Sequence, residues 1–198
     1  MADVDVAALY VDPRGPYPKM PGVDCYDESR DARDYRGPLP VVAHPPCGPW
    51  GSLRHLSTKD DPNLAPIGLW QVRHWGGVLE HPRRSKLFDA LKLPKPGEPP
   101  DEWGGYTVDV NQCDWGHVAR KPTRLYCVGV PRSELVTPEP REPTHWCSGR
   151  RTPFTRPTKG PPPGCAPPGI KFCSMQQRRR TPEAFAAYLV KLARSVKR

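Results

Sequence analysis

Proline limits what this chain can fold into. It occupies 29 of 198 positions, against roughly 10 at about 5% average usage. Each proline removes a backbone donor and fixes φ, so helices and central strands can form only in the gaps between prolines. The prolines follow no Gly-X-Y period, which excludes a collagen-like helix. Six Trp and seven Tyr are too much aromatic surface to leave in water, which argues against a fully disordered chain. The length suits one core. No apolar run approaches the roughly 18 residues of a membrane span. The acidic opening MADVDVAALYVD is unlike a basic signal peptide, so the expectation is a cytoplasmic protein.

The gaps carry recognisable elements. VAALYV (6–11), LPVVA (39–43), GGVLE (76–80), YTVDV (106–110) and RLYCVGV (124–130) are short, apolar and Val-rich, as buried strands are. Between them Leu64–Trp75 and Arg84–Leu91 read as helices, with Pro66 in the first turn of the former. This alternation predicts an open α/β sheet. From Pro131 to Pro168 eleven prolines fall within 38 residues, which predicts an extended arm. The chain closes on a helix, with Thr181 expected as N-cap and Pro182 at the first helical position. Phe185, Tyr188, Leu189, Leu192 and Val196 give it an apolar face for docking. The expected organisation is an α/β body over 1–130, a Pro-rich basic arm over 131–180, and a closing helix over 181–198.

Charge is distributed unevenly. Residues 1–140 carry 17 basic and 19 acidic side chains, a net of −2, and residues 141–198 carry 13 and 2, a net of +11. A neutral body with a cationic tail points to a polyanion, because each Lys or Arg at a phosphate releases condensed counterions. DNA is the expected partner. Arg120, Lys121, Arg150, Arg151, Arg178, Arg179 and Arg180 are its candidate contacts, although solvated surface charge would account for the same residues.

Seven cysteines without a secretion signal argue against a disulfide framework. His145, Cys147, Cys165 and Cys173 have the spacing H-x-C-x17-C-x7-C. A zinc ion there would order the arm, but no C-x2–4-C pair is present, and scattered thiols explain the pattern equally well.

The segment with most chemical content is VVAHPPCGPWGS (41–52). Two prolines after a strand stiffen its exit and place Cys47 at the strand's C-terminal edge, where open α/β sheets build their sites. A thiol there can act as a nucleophile, or can be a small loop residue. GGVLEHP (76–82) is a second strand ending in a carboxylate, Glu80. QCDWGHVARKPTRLYCVG (112–129) is a polar turn that feeds basic residues into a strand.

In this order the three segments resemble the DNA (cytosine-5) methyltransferases. The resemblance rests on Pro46-Cys47 with Trp50 three residues on, on Glu80-His81-Pro82, and on Asp114-Trp115-Gly116 leading to Arg120, Lys121 and Arg124. RRRTPEAFAAYLVKLA (178–193) is similar to the family's closing motif. The match spans 39–130 and 178–195. It implies a methyltransferase-like (Rossmann-like) open sheet and chemistry at C5 of a pyrimidine. Cys47 would add to C6, Glu80 would hold or protonate N3, and Arg124 would orient the base, which must be flipped from the duplex. A carboxyl that donates to N3 needs a raised pKa, which an apolar strand end can supply.

The resemblance also implies S-adenosylmethionine as donor, with Asp12, Asp31 and Pro45 as candidate cofactor contacts. The chain departs from the family at that end. No Gly-x-Gly follows the first strand, Pro13, Pro16, Pro18 and Pro21 forbid a helix directly after it, and His81 replaces the family's Asn. The large target-recognition domain has only the stretch 131–180 in its place, as in a compact, phage-type variant. Three readings follow: a minimal methyltransferase, a hypermodification enzyme that keeps the Cys/Glu chemistry with another donor, or a non-catalytic DNA-binding relative.

Overall fold

The computed structural model describes residues 3–51, 54, 61–146 and 171–197. Among these, six strands form one open sheet in the order β2-β1-β3-β4-β6-β5. The strands are β1 Val6–Leu9, β2 Val23–Tyr26, β3 Val41–Ala43, β4 Gly77–Pro82, β5 Tyr106–Asn111 and β6 Pro122–Val128. β1, β2, β3 and β4 are parallel, and β6 runs antiparallel between β4 and β5. The expected α/β sheet is therefore present, and all five Val-rich runs are strands in it.

Helices cover both faces. α1 (Leu64–Trp75) lies on one face with α2 (Leu87–Ala90), where Leu69, Val72, Leu87 and Phe88 pack on Leu9, Val41, Leu79 and Tyr126. The closing helix α4 (Glu183–Arg194) covers the other face, with Phe185, Leu189 and Leu192 fully buried against Val6, Val42, Val78 and Leu125. Each such side chain contributes about 1.5–3 kcal/mol by leaving water. Trp115 seals this face edge-on to Phe185, with ring centroids 5.2 Å apart.

Some local expectations shift. β2 forms inside the proline-rich opening, where its half-buried VDCY sequence lacks the apolar run that marks the other strands. The Arg84–Leu91 stretch narrows to a single turn, Leu87–Ala90, because residues 83–86 are taken up by a turn that follows β4 and is closed by Ser85 N–H on Pro82 O. Pro182, not Thr181, is the N-cap of α4, and its extended backbone (ψ 144°) places the first helical residue at Glu183. Ahead of it lies a short helix, α3 (Met175–Arg179), closed by a reciprocal Ser174–Gln177 capping box. Within the arm, His145–Trp146 (β7) pairs with Lys171–Phe172 (β8). Residues 147–170, with Arg150, Arg151, Cys147 and Cys165, lie outside the described residues.

Close approach at one glycine holds the middle of the sheet. A Cβ on Gly77, which has φ +118°, would stand 2.0 Å from the carbonyl oxygen of Val41. Only glycine allows β4 to enter the sheet beside β3 at that point.

Candidate active site at the carboxyl edge of the sheet

The strand order 2-1-3-4 has its topological switch point between β1 and β3. The connection from β1 to β2 crosses the α4 face, where Tyr17 is buried. The connection from β3 to β4 crosses the opposite face through α1. The loops leaving β1 and β3 therefore diverge at the carboxyl edge, the place where open α/β sheets hold their ligands.

Both loops are unusual there. After Leu9 the chain turns sharply at Tyr10, a non-glycine residue with φ +60°. Its hydroxyl donates to Gln71 Oε1 at 3.0 Å, and Gln71 Nε2 donates to the carbonyl of Ala32 at 2.6 Å. Left-handed backbone at a bulky residue is held only by such surrounding contacts and clusters at functional sites. After β3, Pro45 is buried and Cys47 is exposed. Cys47 precedes a 3-10 turn, Gly48–Trp50. That turn is tied down where Lys86 N–H donates to Trp50 O at 2.9 Å and Trp50 Nε1 donates to Pro62 O at 3.1 Å. In the parallel register Ala43 pairs with Leu79, so the segment holding Cys47 and the end of β4 holding Glu80 open on the same edge.

Glu80 anchors a chain of polar groups. The Tyr17 hydroxyl lies 2.5 Å from His44 Nε2, and His44 Nδ1 lies 3.0 Å from Glu80 Oε2. Glu80 Oε1 accepts from Gln112 Nε2 at 3.1 Å, and the same amide donates to Thr123 Oγ1 at 3.0 Å. Burial acts to raise the Glu80 pKa, but the hydrogen bond and charge of His44, with Lys121 and His81 nearby, outweigh it and hold the carboxyl down to about 2. This corrects the raised value expected for a strand-end carboxyl. An apolar strand end alone would raise it, whereas this one is ringed by donors. Burial also keeps the Tyr17 phenol protonated, its pKa standing well above the usual value.

Arg124 stands elsewhere. Glu80 pairs across the β4–β6 ladder with Leu125, and His81 pairs with Arg124. Directly paired residues share a face, so Glu80 points toward α4 while Arg124 points toward α2. There Arg124 grips Asp109 through Nε at 2.7 Å and Nη2 at 3.1 Å and lies over the Phe88 ring. The structure does not bring Arg124 to Glu80. On the same face as Arg124, His81 is fully buried, and neither ring nitrogen makes a well-formed hydrogen bond, although the Pro46 backbone acts on the ring. Burial pushes its pKa down to about 4.

Lys121 and the arginine run do come to this edge. Lys121 Nζ donates to the Arg180 carbonyl at 3.4 Å, and its charge acts on Glu80. His117 accepts the Ala119 N–H at Nδ1, 3.1 Å away, and its Nε2 lies 3.0 Å from the Gln177 carbonyl, which docks α3. Arg178, Arg179 and Arg180 are exposed there. Arg120 is instead paired with Glu142 at the surface.

The cofactor and metal candidates are scattered. Asp12 is half-exposed and bound to Arg14. Asp31 caps the 3-10 turn Ala32–Asp34 and is bound to Arg33. Pro45 packs toward Gly68 of α1, where an added Cβ would stand 3.6 Å from its Cγ. The β1–β2 connection carries a 3-10 turn at Tyr17–Lys19 in place of a helix N-terminus with a glycine cradle. These residues do not fit S-adenosylmethionine in the usual manner of such sheets. His145 lies in β7 and Cys173 directly follows β8, and Cys173 N–H donates to Trp146 O. Among the described residues, no group of three or more His, Cys, Asp or Glu could hold a metal.

His44, Tyr17, Tyr10 and Gln112 were not among the residues singled out by sequence. His44 could have been, standing three residues before Cys47 at the same strand end. Tyr17 is hidden among prolines, and its partner is distant in sequence. Comparison with known proteins finds no matching family model and no matching curated protein. No helix among the described residues is long and apolar enough to cross a membrane.

Proposed function

We propose that this protein modifies DNA at C5 of a pyrimidine base, using Cys47 as the nucleophile at C6 on a methyltransferase-like sheet. The observation that carries this reading is the shared edge. Cys47 is exposed beyond the exit of β3, Glu80 lies near the end of the neighbouring β4, Lys121 acts on Glu80, and the backbone of Arg180 meets Lys121. A flipped base could enter at such an edge while the exposed cations hold the flanking phosphates. Cys47 adds to C6 and makes C5 nucleophilic, and Glu80 holds the ring. C5 takes an electrophilic one-carbon or larger group from a donor whose leaving group departs with the bonding pair; loss of the C5 proton and departure of the Cys47 thiolate then restore C5=C6.

A second reading is a DNA-binding protein without catalysis. It is favoured by the internal hydrogen bonding of both Glu80 oxygens. One experiment separates the two. Duplex DNA containing 5-fluoro-2′-deoxycytidine or 5-fluoro-2′-deoxyuridine is incubated with the protein and run on a denaturing gel. The proposal expects a covalent adduct that Cys47→Ser abolishes without loss of DNA affinity. Absence of adduct with both analogues, under conditions of demonstrated binding, would overturn it in favour of the second reading.

A further inference from the structure

We infer that the base taken at this site is a 4-oxo pyrimidine with a proton on N3, uracil or a uracil-type base, and that Lys121 faces its O4. This inference rests on the Cys47 reading above and deepens it. Thr123 sets the direction of the network. Its hydroxyl donates to the Lys121 carbonyl at 3.1 Å, which uses its one proton, so Thr123 Oγ1 can only accept from Gln112. That fixes the Gln112 amide with its NH2 toward Thr123, and the same NH2 then faces Glu80 Oε1 at 3.1 Å.

The other oxygen is fixed from the far side. If Tyr17 gives its proton to His44 Nε2, or if the imidazole carries a proton on both nitrogens, His44 Nδ1–H donates to Glu80 Oε2. A proton on either Glu80 oxygen would therefore meet a donor already in place. The network holds Glu80 as a pure acceptor, in agreement with its depressed pKa.

A pure acceptor pairs with an N3–H. Uracil-type bases carry that proton, whereas N3 of neutral cytosine is itself an acceptor and would face the carboxylate lone pair to lone pair. The neighbouring group can add to the choice. Lys121, whose charge acts on Glu80, offers only donors, so on the C4 side of N3 it suits O4 of uracil and opposes the N4 amino group of cytosine, while on the C2 side it would meet the O2 that both bases share. Lys121 also has a role in the reaction. When the Cys47 thiolate forms the S–C6 bond, the C5=C6 electron pair moves through C4 onto O4, giving an enolate that the ammonium group stabilises.

This step can be read without knowing the group donor. In D2O the enolate takes a deuteron at C5. Loss of the original C5 proton to solvent restores the enolate, and departure of the thiolate re-forms C5=C6. The net result is hydrogen–deuterium exchange at C5. Duplex DNA synthesised with deoxyuridine in place of thymidine presents deoxyuridine and deoxycytidine in every sequence context within one reaction. After digestion, mass spectrometry of the nucleosides reads C5 deuterium in each.

We expect deuterium in deoxyuridine at about ten-fold or more over deoxycytidine, the discrimination of a mispaired buried polar group. Lys121→Met is expected to lower deoxyuridine exchange by roughly ten- to hundred-fold. Equal or greater exchange in deoxycytidine would overturn the inference and leave the Cys47 reading intact. Exchange in neither base would overturn the Cys47 reading and this inference with it.

Discussion

His44 Nδ1 lies 3.0 Å from Glu80 Oε2, with both side chains nearly withdrawn from solvent. The contact joins the exits of β3 and β4, and His44 also bonds through its backbone N–H to Leu9 O of β1 at 3.0 Å. One residue therefore ties three parallel strands together at the edge where Cys47 emerges, and it sets the charge of the carboxylate beside it.

Acid should expose that charge. The ordinary carboxyl value is 4.5 and Glu80 stands at about 2 in the fold, so the unfolded chain binds the proton more readily. The stabilisation is complete above about 4.5 and is lost as the pH falls toward about 2, amounting to on the order of 3 kcal/mol. Urea denaturation of the wild type and Glu80→Gln from pH 6 to pH 2.5 should show a shallower acid loss in the variant.

His81 acts in a higher window. Its pKa falls from the ordinary 6.5 to about 4, so the unfolded state takes up a proton that the fold refuses. Stability should fall as the pH drops from about 6.5 to about 4. His81→Phe, next to Phe88, removes two buried nitrogens without well-formed bonds. It should raise stability by about 1 kcal/mol at neutral pH and flatten that window in thermal melts.

Arg124 should behave as a structural residue. Its bidentate contact with the partly buried Asp109 predicts that Arg124→Leu costs about 1–3 kcal/mol. A double-mutant cycle with Asp109→Leu should recover part of that loss. DNA base preference should be unchanged in the refolded variant. A shift in base preference would show that the arginine leaves Asp109 to meet the base.

The arginine run should carry phosphate contacts. Replacing Arg178, Arg179 and Arg180 together by Gln should reduce the slope of log affinity against log salt by about 2 to 3. Fluorescence anisotropy between 50 and 300 mM salt reads this directly, and C5 exchange at saturating DNA should persist.

Gly77→Ala should separate β3 from β4. The added methyl collides with Val41 backbone on both its oxygen and its nitrogen, at a cost of about 3 kcal/mol or more. A melting temperature within a few degrees of wild type would contradict the register of this pair.

The Val-rich strands, α1, the apolar face of α4 and the place of Cys47 beyond a strand exit were legible in the chain. These are local properties, set by side-chain period and by where proline permits regular backbone. Glu80, expected to end its strand, lies instead within β4, which runs on to Pro82. The tertiary structure alone decided which of the marked residues meet. Insertion of β6 between β4 and β5 sends Arg124 to the face opposite Glu80. The fold also brings Tyr17 to His44 across 27 residues and His44 to Glu80 across 36. Those contacts reversed the expected protonation of Glu80, because a carboxyl's pKa depends on the donors that surround it, and here the fold assembles them from four separate parts of the chain.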